Sequence, residues 1–179
     1  CTFERPASAL WSFVPLVEYQ GGGAAATLEP LMDHLYEYRT LMFQNYGAGV
    51  QACYRGPRLY DSPETRQTVT EVIGWYKKYR NILNSDIIHL RRPDARDWDG
   101  IMHVSVSEKE RALAMFYNPT DCEMTRTIKL PLYYTGLTET ARIREQEGEP
   151  SEFRLDRDYS VELTVTIPAR GYTWYVVEE

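Results

Sequence analysis

The chain has 179 residues, 13% of them aromatic with 14 Tyr and 4 Trp, and a formal net charge of −6. Its length allows one medium domain or two small ones with a real core, and its aromatic content excludes a disordered tail. An acidic chain without a basic stripe excludes nucleic acid as an expected partner, and no apolar run approaches the roughly 18 residues that would span a membrane.

The chain opens at Cys1, with Phe3 and Pro6 close behind and an apolar run from Leu10 to Val17. A mature lipoprotein also starts at Cys, but the polar tether that normally follows a lipid anchor is missing. The expectation is a cut inside a longer protein, with lipidation of Cys1 as the other reading. Residues 9–19 suit an extended segment, although Pro15 argues against a central strand. Gly21 to Gly23 break that segment. They lack the Lys-Ser/Thr of a phosphate loop and read as a connection.

Thr27 can cap a helix whose apolar positions Leu28, Leu31, Met32, Leu35, Tyr38 and Met42 follow helical spacing, ending near Gly47. Gly49 to Tyr54 then alternate as a strand does. The next helix has the clearest start. Ser62 is a good N-cap and Pro63 stands at the first helical position, where its missing N–H costs nothing. Val69, Val72, Ile73, Tyr76, Tyr79 and Leu83 form its apolar stripe.

After Asn84 the apolar period changes from 3.6 to 2. Met102, Val104 and Val106 alternate with polar neighbours, and Leu113 to Tyr117 is a continuous apolar run. Ile128 and Leu130 alternate in turn, as do Val161, Leu163, Val165 and Ile167. Asn118 to Asp121 and Ala169 to Gly171 read as turns, and Asp156 to Asp158 as a hairpin turn. Six to eight strands at this spacing predict an antiparallel β-sandwich. The fold class is therefore α+β: a helix–strand–helix segment over residues 1–85, then a sandwich over residues 86–179. One β/α unit cannot close a sheet by itself, so further units or another chain should cover residues 1–85.

Several segments together carry a resemblance. Residues 47–61 look like a last barrel strand and its loop, and residues 75–100 like a last barrel helix and its exit. FYNPTD (116–121), LPLYYTGL (130–137) and IPARGYTWYVVE (167–178) follow. As a set they resemble the C-terminal region of glycoside-hydrolase-like proteins with α-galactosidase-type architecture. In those proteins a catalytic (β/α)8 barrel precedes an antiparallel β-sandwich. The resemblance implies a carbohydrate substrate, a barrel that lies mostly elsewhere and catalytic carboxylates on strands not visible here. No catalytic residue is carried over, and little or no activity is expected of these residues alone. A periplasmic or extracellular placement is the expectation.

Tyr54, Arg55, Arg58, Tyr60 and Asp61 are the candidate substrate-binding residues. If the preceding strand belongs to a barrel, they lie at its functional end. Arg offers a planar fork of donors and Tyr a face for a sugar ring. The alternative is an Arg pair that braces the loop and an Asp61 that favours the following helix start. Glu18 and Asp61 are the only carboxylates near expected strand ends.

Gly47-x-Gly49-x-x-Ala52 resembles a dinucleotide fingerprint on paper, but a helix precedes it and a Pro/Arg-rich loop follows. Asp94, Asp97 and Asp99 are oxygen-rich enough for Ca²⁺, yet Arg91, Arg92 and Arg96 favour ion pairing. His34, His89 and His103 lack ligand spacing, so no metal or other cofactor is expected. Cys53 and Cys122 read as small buried hydrophobes. A rival reading is a non-catalytic carbohydrate-binding or self-association module. It would bind through exposed Trp98, Tyr133, Tyr134 or Trp174, with Trp174 also readable as core.

Overall fold

The computed structural model describes residues 11–15, 29–49, 51–55 and 58–179, with the strands at 11–15 and 51–55 described through their backbone. Cys1, Glu18, Gly21 to Gly23 and Thr27 lie outside the described residues, as do the side chains of Cys53, Tyr54 and Arg55. The chain divides into two compact units, Cys1–Arg80 and Asn81–Glu179.

In the first unit, β1 (Trp11–Pro15) and β2 (Gln51–Arg55) run parallel, with Trp11 opposite Gln51 and Pro15 opposite Arg55. Each strand has one partner in this sheet, and a Pro is tolerated on an edge strand. The first helical segment begins later than its apolar spacing suggests. A 3-10 turn, Leu31–His34, leads into α1 (Leu35–Gly47). Pro30 is the reason: it sits extended at φ −72 and ψ 137, and a Pro inside a helix would remove a donor and clash with the preceding turn. Leu31, Tyr38 and Met42 are fully buried, whereas Met32 is 55% exposed. The helix lies against both strands.

Helix α2 (Pro63–Leu83) starts where the sequence says it should. The Thr65 N–H donates to Ser62 Oγ (3.1 Å) and the Ser62 N–H to Thr65 Oγ1 (2.9 Å), a reciprocal cap that satisfies two otherwise unpaired donors. Its buried stripe runs through Thr65, Thr68, Val69, Val72, Trp75 and Tyr79 at three- and four-residue steps. Trp75 stacks at a tilt on Phe43 of α1 (4.8 Å between centroids), and Tyr46 meets Tyr76 at 4.9 Å. An Arg39–Glu71 ion pair (2.8 Å) ties the same two helices.

The second unit holds eight strands: β3 (Asp86–Arg91), β4 (Asp99–Val104), β5 (Glu110–Tyr117), β6 (Met124–Pro131), β7 (Thr140–Glu145), β8 (Ser151–Arg154), β9 (Ser160–Ile167) and β10 (Tyr172–Glu178). Six form one antiparallel sheet in the order β3-β4-β5-β10-β7-β8, and β6 pairs with β9 in a second. The architecture is the expected α+β one, dominated by the sandwich.

Strand β5 is apolar from Ala112 onward because it lies between β4 and β10, with residues 112–117 all buried. Strand β9 keeps the two-residue alternation. Val161, Leu163, Val165 and Ile167 enter the core while Glu162, Thr164 and Thr166 stay in water. Phe116 stands near the centre, edge-on to Tyr175 (5.8 Å, 82°) and 5.8 Å from Trp98. Asn118 secures the β5–β6 crossing. Its buried amide donates to the carbonyls of Cys122 (2.8 Å), Pro168 (3.1 Å) and Ile167 (3.2 Å).

Two expectations need correction. The turn at Asp156 to Asp158 does not close a hairpin, because β8 pairs with β7 and β9 with β6, so the chain changes sheets there. Cys122 is an exposed thiol rather than a buried hydrophobe, since it sits in the loop between two sheets.

Candidate functional site

The loop between β2 and α2 brings three of the five predicted residues together. Arg58, Tyr60 and Asp61 line an open hollow of about 850 Å³ with Ser62, Arg66, Gln67 and Glu71. Tyr54 and Arg55 belong to the end of β2 by backbone.

Each of the three takes a different part in the loop. Arg58 reaches Glu29 through one edge of its guanidinium, Nη2 to Oε2 at 3.0 Å and Nε to Oε1 at 3.3 Å. That fork pins the loop to the chain just ahead of the 3-10 turn, although Arg58 stays half-exposed. Asp61 is a junction. Its Oδ2 accepts the Met32 N–H (3.2 Å) and its Oδ1 the Thr65 hydroxyl (3.1 Å), while the Asp61 N–H itself points to Thr65 Oγ1 (3.0 Å). Desolvation raises the Asp61 carboxyl, but donors from Met32, Thr65 and Leu31 outweigh it and hold the group below the usual carboxylate range. Such a carboxylate is ionised at neutral pH. It can accept a hydrogen bond from a hydroxyl but cannot serve as a general acid.

Tyr60 is 45% exposed, with the Arg66 guanidinium 5.7 Å from its ring centre. Beneath the loop, fully buried Tyr38 donates its hydroxyl to the Leu59 carbonyl (2.8 Å). Burial raises the Tyr38 phenol well above its ordinary value, with Tyr46, Asp61 and Glu29 adding to the effect. The phenol is therefore a fixed donor. Tyr38 and Arg66 are contributors that spacing alone does not reveal, since they face the loop from two different helices.

The other candidates separate clearly. Asp94 pairs with Arg91 (2.7 Å) and accepts the Arg96 and Asp97 N–H groups, and Asp97 pairs with Arg126 (3.1 Å). Asp99 departs from the surface ion-pairing expectation, because its position in β4 buries it to 5% exposure. Desolvation pushes its carboxyl up to about 7, against the pull of Arg91, and its Oδ2 has no hydrogen-bond partner. Among the described residues no group of three or more His, Cys, Asp or Glu is arranged to hold a metal ion. His34 bonds to Glu37 at 2.8 Å and His103 is fully buried in β4. Trp174 is core at 4% exposure, and Trp98 packs partly buried against the sandwich interior. Tyr133 and Tyr134 are exposed. No helix among the described residues is long and apolar enough to cross a membrane.

No protein-family model matches the chain, and no curated protein matches it. Solved structures do match. The galactosidase domain of alpha-galactosidase-sucrose kinase aligns over 97% of this chain and 22% of its own, at TM-score 0.60 and 20% identity. A GH27 β-L-arabinopyranosidase from Geobacillus stearothermophilus aligns over 94% of this chain and 37% of its own (TM-score 0.59, 12% identity). Alpha-galactosidase I from Mortierella vinacea aligns over 79% of this chain and 35% of its own (TM-score 0.54, 12% identity). The chain thus spans 22% to 37% of the length of these three. Identities this low speak for the fold alone, and that fold is the one of the C-terminal region of α-galactosidase-type glycoside hydrolases.

Proposed function

We propose that this chain is the C-terminal part of a glycoside hydrolase acting on carbohydrate, with the sandwich from about residue 86 as its structural companion. The observation that carries the reading is the order of parts. A parallel strand pair with two helices is followed by a sandwich, over nearly the whole length of the match to glycoside-hydrolase structures. A parallel pair is an incomplete sheet, and parallel sheets are normally covered on both faces by further β/α units. The partner expected on residues 1–85 is the rest of such a barrel.

In this reading the Tyr54 to Asp61 loop forms part of the rim of the sugar site, as loops at the C-terminal face of barrel strands do. Tyr60 would offer its ring to a sugar face, with Arg55 and Tyr54 beside it. Arg58 and Asp61 would hold the loop in shape and present spare lone pairs and N–H groups to hydroxyls. The carboxylate pair that glycoside hydrolysis needs would come from elsewhere in the barrel.

The test is turnover of aryl-glycosides by the purified 179-residue chain. No turnover is expected, with or without Asp61→Asn. Measurable hydrolysis that Asp61→Asn abolishes would overturn the reading.

A further inference from the structure

We infer that Tyr133, Tyr134 and Tyr159, with the polar hollow beside them, form a saccharide-binding site on the sandwich. This site is separate from the loop at Tyr60 and does not rest on the barrel reading. Tyr133 and Tyr134 sit in a 3-10 turn, Tyr133–Thr135, just after β6, and Tyr159 sits just before β9. The β6–β9 ladder ends with Pro131 opposite Ser160, and beyond it the Leu132 N–H donates to the Tyr159 carbonyl (2.8 Å). That register joins residues far apart in sequence into one cluster.

The ring of Tyr133 lies 5.2 Å from Tyr134 at 89° and 5.6 Å from Tyr159 at 69°. Tyr133 and Tyr134 are each 62% exposed and Tyr159 37%. Rings that meet at steep angles build a corner with apolar faces left to water, whereas core aromatics bury theirs.

Tyr159 also stands at φ 59, in the left-handed region that bulky side chains rarely adopt. Glycine would hold this turn without that penalty, so the backbone alone gives no reason for a ring here.

Next to the cluster, and sharing Tyr159, lies a hollow of about 470 Å³, within the size range typical of small-ligand sites. Glu139, Arg154 and Arg157 line it, and their side chains make no ion pair or hydrogen bond among the described residues. By contrast Asp158, in the same turn, is paired with Lys129 (2.5 Å). Uncommitted groups of both signs around one hollow disfavour a ligand of a single charge, because either sign meets repulsion. A neutral polyhydroxylated ring suits them: carboxylate and guanidinium each bond a hydroxyl, and the C–H face of the ring lies on a tyrosine.

The experiment is native affinity electrophoresis of the 179-residue chain in gels containing soluble galactomannan, arabinoxylan or amylopectin. Sedimentation of the free chain runs alongside. Retardation by at least one polysaccharide is expected, with affinity falling roughly tenfold in Tyr133→Ala and in Tyr159→Gly. Tyr159→Gly keeps the left-handed turn and should melt no lower than the parent chain, so its loss of binding cannot be put down to unfolding. Three results would overturn the inference. One is no retardation in any gel. Another is retardation that Tyr60→Ala abolishes while both cluster variants bind normally, which would leave the loop reading standing. The third is a dimer that Tyr133→Ala dissociates, with no polysaccharide bound.

Discussion

Up to Arg80, two parallel strands carry one helix against them, and Met32, Tyr36, Leu59 and Tyr60 are left with more than a third of their surface exposed. From Asn81 onward, eight antiparallel strands close over one continuous apolar core built from both sheets. The first unit spends its polar side chains holding a loop in place, through Arg58–Glu29 and the Asp61 junction. The second unit has loop ties of its own, the Asn118 amide and the Asp94–Arg91 and Asp97–Arg126 pairs among them, and adds to them the burial of one interior. The contrast teaches where each unit's order comes from: the second closes over its own apolar interior, whereas the first, among the described residues, pairs only two strands and leaves large side chains on its surface. On the proposed reading, further β/α units complete the first.

The comparison breaks most readily at the sandwich core. Phe116→Ala removes a fully buried ring that contacts Trp98 and Tyr175 and should cost about 3–5 kcal/mol. Urea unfolding followed by tryptophan fluorescence measures it. A cost below about 1 kcal/mol would mean that the core does not carry the unit.

A comparable effect comes from pH. The Asp99 carboxyl stands at about 7 in the folded chain, above the ordinary 3.8. Between those values the folded state holds a proton that the unfolded state has released. This group's contribution is therefore fully present below about pH 4 and is lost as pH rises to 7, by up to about 4 kcal/mol. Urea midpoints at pH 5 and pH 8 should differ less in Asp99→Asn than in the parent chain. An unchanged pH dependence in the variant would place the Asp99 titration elsewhere.

The smallest expected effect sharpens the other side. Ser62→Ala removes one half of the α2 cap and should cost about 1 kcal/mol. It should loosen the loop at Tyr60 and leave the sandwich untouched, as separate hydrogen-exchange readings on the two units would show.

Much of this architecture was legible because local signals agreed. Ser62-Pro63 announces the start of α2, and the strict alternation from Val161 to Ile167 announces β9. The apolar run at Leu113 to Tyr117 correctly reads as a strand enclosed by neighbours. Other features depend on tertiary context. Pro30 delays the first helix despite a good apolar series. Trp75 joins the α2 stripe one residue before Tyr76 because Phe43 of α1 meets it there. Asp99 reads as a loop acid among arginines until strand pairing with Tyr117 carries it inside.

The candidate site was legible in part. The residue types at Arg58, Tyr60 and Asp61 suggested a loop of consequence, but spacing could not choose between sugar contact and bracing, and it could not supply Tyr38 or Arg66 from two other elements. Tyr133 and Tyr159 lie on different strand ends, and only the β6–β9 register joins them. No periodicity carries that information.

Hydrogen exchange of the whole 179-residue chain tests the central claim most directly. If the sandwich is self-sufficient and the first unit awaits further β/α units, amides in β5 and β10 should exchange only through global unfolding. Those in β1 and β2 should exchange at least about a hundredfold faster. Equal protection in both units would contradict the account, because the parallel strand pair would then be stable without anything to complete it.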